Sequence, residues 1–201
     1  MSSDIQSTFI EAAAADTDGI STAAAVGEDA SLVIGGALAS GGAVTFDQPR
    51  NITILSAGDD SGISFTVTGT DETATSATES ITGANAGTAT GSAYFATITA
   101  ITAVGDPAGN VSAGSGTSIA APMYRGRMRL RGIYVVNTGT AGTTTFSQTS
   151  SSGAVAMKFN TVASANTTQY PDIPDDGILF AAGGYVLYTQ TALSSITVFY
   201  S

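Results

Sequence analysis

Cysteine, histidine and tryptophan are absent from this chain of 201 residues. Without cysteine there is no disulfide and no thiolate site, and the redox compartment cannot be read from the sequence. Without histidine, Ser-His-Asp and Cys-His activation of a nucleophile are excluded, as are the usual zinc ligand sets. The missing tryptophan thins the aromatic platform on which sugars stack. Basic residues are scarce as well: six, against sixteen acidic ones, for a net charge of -10. That balance argues against nucleic-acid binding by the whole chain, because neutralising phosphates needs a basic footprint. No apolar run approaches the ~18 residues of a membrane span. The first residues, Met1-Ser2-Ser3-Asp4, lack the basic region of a signal peptide.

What replaces the charges is threonine, serine, alanine and glycine. Charged residues make up 11% of the chain, against roughly 25% in typical soluble domains. Few Lys and Glu leave little helix-forming surface, while abundant Thr, Val and Ile favour strands. The fold class expected is all-β. The charge is also unevenly spread. Residues 1–121 hold thirteen acidic residues and Arg50 as their one basic residue, a balance of -12. Residues 122–201 hold five basic and three acidic residues, a balance of +2. The change at Pro122 predicts a domain boundary. The expected organisation is an N-terminal arm over 1–29, an acidic β-sandwich over 30–121 and a C-terminal sandwich or barrel over 122–201, both antiparallel.

In the arm, residues 6–15 fit either one short helix or a strand near 7–10. An ordered beginning of the chain would suggest that the arm packs on something, such as another subunit. From 31 onward the pattern is β. Strands are expected at 31–38, 43–47 (closed by Pro49), 51–56, 63–68, 75–82 and 93–104, with an edge strand at 110–113. The alternation of Ile63, Phe65 and Val67 with Ser64, Thr66 and Thr68 is the cleanest sign of a half-buried strand. The apolar residues of 93–104 change phase, which predicts a bulge or burial on both faces. After Pro122, strands are expected at 128–137, 143–148, 155–161, 177–180, 184–189 and 195–200.

Acidic turns at 16–19, 58–62 and 71–72 look like fragments of calcium loops. None supplies the six to eight oxygens calcium needs, and Asp-Gly pairs are ordinary turn chemistry. Sixteen carboxylates make some close pair inevitable, so a glycosidase-like pair carries little information. The Gly-rich loop 83–91 lacks the Gly-Lys-Ser/Thr of a phosphate loop. No cofactor, no metal and no catalytic residue is therefore assigned, and the chain is not expected to be an enzyme.

The most specific local feature is Arg125, Arg127, Arg129 and Arg131, at every second position. In one extended strand all four would leave the same face. Three readings fit such a row. It is a solvated face that discourages edge-to-edge aggregation. It docks the acidic region, in the same chain or in a neighbour. Or it meets an acidic partner, protein or nucleic acid. Asp172, Asp175 and Asp176, around Pro171 and Pro174, are within its reach as counter-charges, though a proline-stiffened acidic loop is their default role. Arg125, Arg127, Arg129 and Arg131, with Phe9 and Ile10 in the arm, are the candidate protein-interaction residues.

The segment RNITILSAGDDSGISFTVTGTD at 50–71 resembles a segment of virion structural proteins of tailed bacteriophages. Those proteins often continue, as here, with ESITGANAG (79–87) and an aromatic-led strand, YFATIT (94–99). The stretches IPDDGILF (173–180) and SITVFYS (195–201) resemble another such structural segment. The resemblance implies no catalytic residues. It implies a homo-oligomeric particle component located in the virion. The leading expectation is a capsid decoration (cement) protein bound to the major capsid protein, with a neck, tail or fibre-base adaptor next and a host-surface carbohydrate-binding module third. No nucleic-acid or membrane partner is expected.

Overall fold

The computed structural model describes residues 4–163 and 168–201. The described residues are all β. The chain divides into two compact units, one of Met1–Ala13 with Ser118–Ser201 and one of Ala14–Thr117. The arm expected over 1–29 is therefore shared out, its first part going with the C-terminal residues and the rest with the acidic region. The division after Thr117 precedes the Pro122 boundary expected from charge. By sequence, Ala14–Thr117 carries eleven acidic residues and one arginine, a balance of -10, and the other unit has five of each sign.

The chain begins with β1 (Gln6–Ile10), where a helix was one expectation, and β2 (Ser21–Ala25). In the acidic unit follow β3 (Ala39–Ser40), β4 (Ala43–Ser56), β5 (Ser64–Asp71), β6 (Ser76–Thr82), β7 (Thr88–Thr90) and β8 (Phe95–Val104). The long β9 (Asn110–Tyr124) begins in that unit and ends in the other. The rest of the chain forms β10 (Met128–Asn137), β11 (Gly142–Gln148), β12 (Val155–Thr161), β13 (Thr168–Gln169), β14 (Ile178–Phe180), β15 (Gly184–Thr189) and β16 (Leu193–Tyr200).

In the acidic unit the strands run β9-β4-β8-β5-β6, with β2 added on β9 and β3 and β7 on β4. Two strands expected on either side of Pro49 are one. β4 passes through the proline, and its ladder with β8 shifts between Thr45 and Arg50, where a missing N–H costs no regular bond. The expected strand at 31–38 is absent; Ser31 makes only a single bridge to Thr102. The phase change in β8 is a bulge. Thr68 faces Ala100 but Gly69 faces Ile98, so Thr99 is the extra residue. At Gly69 an added Cβ would run into the Thr97 carbonyl. Ile52, Ile54, Phe65, Val67, Phe95, Ile98 and Ile101 form the core of this unit, closed by Ile20 and Leu32 from the connecting segments.

The other unit is a sandwich. One sheet runs β1-β16-β10-β13, with β14 also on β10; the facing strands run β12-β11-β15-β9. Ile10, Leu130, Val135, Ile196 and Val198 from the first meet Ile119, Met123, Phe146 and Val186 from the second. The residues at 110–113, expected as a final edge, open a fifteen-residue strand with neighbours on both sides.

Candidate interaction surface

The arginine row is not one face of one strand. β9 ends at Tyr124, Arg125-Gly126-Arg127 is the tight connection, and β10 starts at Met128. Arg125 and Arg127 are exposed on that connection, while Arg129 and Arg131 are half-buried on β10, alternating with buried Met128 and Leu130. Gly126 packs beside the Tyr124 ring, where a side chain would collide. A turn is the compact way to return an antiparallel strand, and it splits the row.

Arg129 and Arg131 reach the acidic loop, but through its backbone. Arg129 Nη1 donates to the Asp176 carbonyl at 2.9 Å, and Arg131 Nη1 donates to the Asp175 carbonyl at 3.0 Å. Arg131 Nε donates to Ser201 Oγ at 2.9 Å. The loop turns at Gly177, whose φ of 70° suits glycine, and the Gly177 amide donates to the Pro174 carbonyl at 2.7 Å. These two arginines thus clamp the 174–177 turn onto β10. Arg131→Ala should raise amide exchange at Gly177 by about tenfold, some 1.4 kcal/mol of local stability, as measured by hydrogen exchange. Unchanged exchange would show that the turn holds itself.

Phe9 and Ile10 have opposite roles. Ile10 is buried in the sandwich core and is not a surface residue. Phe9 lies across from Thr197, and Ser7 across from Phe199, so both rings leave the outer side of the five-stranded sheet. Gly132 and Tyr134 of β10 face Phe199 and Thr197 in turn. The Tyr134 ring lies 5.1 Å from that of Tyr170. Phe9, Phe199, Tyr134 and Tyr170 thus form an aromatic band on the outer sheet face. Residue types alone give no sign of it, because the band depends on pairing the two ends of the chain.

The acidic turns use their carboxylates on neighbouring donors. Asp59 Oδ1 accepts from the Ser61 hydroxyl at 2.7 Å and its amide at 3.1 Å, which holds the carboxyl below its usual range. At Asp71 burial pushes the carboxyl up. Hydrogen bonds from the Thr73 hydroxyl and from the amides of Thr75 and Thr73 outweigh it, so the carboxyl titrates low. Among the described residues no group of three or more acidic side chains is placed to hold a metal ion. A shallow depression of about 440 Å³ is lined by Ala141, Gly142, Thr143, Asn160 and Thr161.

Arg50, the lone basic residue of the acidic unit, is buried. Its Nη2 pairs with Asp47 Oδ1 at 2.6 Å, and its guanidinium lies 5.5 Å from the centre of the Phe46 ring. Nearby Tyr94 is raised above its usual range, first by burial and then by the charge of Glu72. The folded chain therefore holds the phenol proton above pH 10, where the unfolded chain releases it. Stability is fully present below pH 10 and falls as pH rises above it. Tyr94→Phe should flatten that alkaline loss in urea titrations taken at pH values on either side of the transition; an unchanged slope would rule Tyr94 out as its source.

Comparison with protein-family models, with curated proteins and with solved structures found no match for this chain.

Proposed function

We propose that this chain is a structural, non-catalytic component of a tailed-bacteriophage particle, and most specifically a decoration protein that binds and stabilises the capsid shell as a homo-oligomer. The observation that carries the reading is how the chain deploys its side chains. Several of the charges are used within their own unit: Arg50 on Asp47, Arg129 and Arg131 on a turn, Asp59 and Asp71 on turn amides. Large exposed rings gather on one outer sheet face. Such a molecule docks by shape and apolar contact between rigid β units. The sequence resemblance to virion proteins directs that general role towards the particle.

The experiment is stoichiometry. The chain should be present in purified particles in hundreds of copies, measured by gel densitometry against the major shell protein. A few copies to a few tens would favour a neck or tail adaptor instead. Absence from particles would overturn the reading. The depression at 141–143 and 160–161 offers hydroxyl and amide groups but no aromatic platform; saturable binding on a glycan array would favour the carbohydrate-binding alternative.

A further inference from the structure

We infer that β1 is a self-association edge, along which a second copy of the chain adds its own β1 in antiparallel fashion to extend the five-stranded sheet. Among the described residues β1 is the end of the sheet order, with β16 on one side. A free strand edge presents unpaired amides and carbonyls and pairs readily unless it is guarded by charge, proline or a bulge. β1 has none of these guards. Gln6-Ser7-Thr8-Phe9-Ile10 carries no charge and no proline, and its register with β16 runs without a shift. Of the other strands that end a sheet order, β6 carries Glu79, β12 carries Lys158 and a register shift in its ladder, and β13 is only two residues long, too short an edge to extend the sheet. Ile5 and Phe9, at 67% and 61% exposure, add apolar surface beside this edge.

Charge selects a second copy as the occupant. The acidic unit, at -10, repels its own kind, whereas the unit containing β1 has five charges of each sign. Copies therefore meet at least electrostatic cost through the latter. A two-fold axis perpendicular to the sheet pairs residues that share a face, so the two opposed residue numbers sum to an even value. Asp4 then never faces Glu11 of the other copy. With the axis at Ser7, Thr8 or Phe9, no acidic residue faces another. The joined sheets carry the aromatic band of Phe9 and Phe199 across the seam.

The test uses the full chain. Sedimentation equilibrium over a concentration series should show a dimer. Phe9→Lys, which puts like charges at the seam of an exposed position, should raise its dissociation constant at least about tenfold, with an unchanged unfolding midpoint at concentrations low enough for both proteins to be monomeric. Because the native chain has no cysteine, single variants Ser7→Cys and Phe9→Cys can cross-link only between copies. A short bismaleimide should link them faster than it links Val155→Cys on β12. A monomer at every concentration, a dimer indifferent to Phe9→Lys, or cross-linking no faster on β1 than on β12 would each overturn the inference. The outcome is separable from the particle assignment. A monomer abundant in particles rejects only the β1 seam, and a β1 dimer absent from particles rejects only the assignment.

Discussion

Replacing Arg50 with alanine is expected to lower the unfolding free energy by about 2–5 kcal/mol, the range seen when a long, fully buried side chain is cut back to alanine. Arg50 is 1% exposed, and its neighbours on β4 are themselves part of the cluster: Asp47 pairs with it, Phe46 lies under its guanidinium, and the Gln48 carbonyl accepts from Nε at 3.4 Å. Across the ladder it faces Phe95, a fully buried ring of the core. Truncation therefore removes a long packed stem as well as a charge. Two further variants separate these effects. Arg50→Met keeps most of the stem, so its cost reports the charge and hydrogen bonds. Asp47→Asn should cost only about 1 kcal/mol, because that side chain reaches solvent. The readout is the urea midpoint at constant slope. A loss below about 1 kcal/mol for the alanine variant would mean that the pair is balanced by its desolvation cost and that the stem repacks without it.

Much of the fold is legible where alternation is bounded by turn residues. β10, β12 and β15 occupy the expected ranges, and the phase change at 93–104 does mark a bulge. The misreadings have separate physical causes. Pro49 reads as a strand end, yet β4 absorbs it where the ladder is already irregular. The edge strand expected at 110–113 stops short of residues 114–117, Gly-Ser-Gly-Thr, yet these are the middle of β9. Gly114 and Gly116 are small because the backbone of Asp16 and Thr17 and the side chain of Asn51 occupy the space a Cβ would need. Small residues here report close approach rather than freedom. The arginine row has the period of a strand, but Gly126 stands in its middle and the chain turns there. Arg50 carries no periodic signal at all. A single cation in an acidic stretch becomes informative only when its burial is known.

The second large effect concerns the arm. Ile10→Ala is expected to cost about 2–5 kcal/mol, while Phe9→Ala, one position away, should stay within about 0.5 kcal/mol. Strand alternation sends Ile10 inward to Ile196 and Val198 of β16 and Phe9 outward. Ile10 is 1% exposed, so its truncation leaves a cavity in a sandwich core otherwise built from residues beyond Ser118. Two side-chain anchors hold the same segment: Thr8 Oγ1 donates to the Met123 carbonyl at 3.0 Å, and Gln190 Nε2 donates to the Ala12 carbonyl at 2.8 Å. The loss should be local to that unit. Hydrogen exchange in Ile10→Ala should rise in β16 and β10, the strands nearest the cavity, and remain native-like in β5 and β8 of the acidic unit. Equal costs at the two positions would mean that β1 is not seated in this register. A negligible cost for Ile10→Ala would mean that the arm is an accessory to the sandwich, and an edge that detaches so cheaply could not carry a stable seam between two copies.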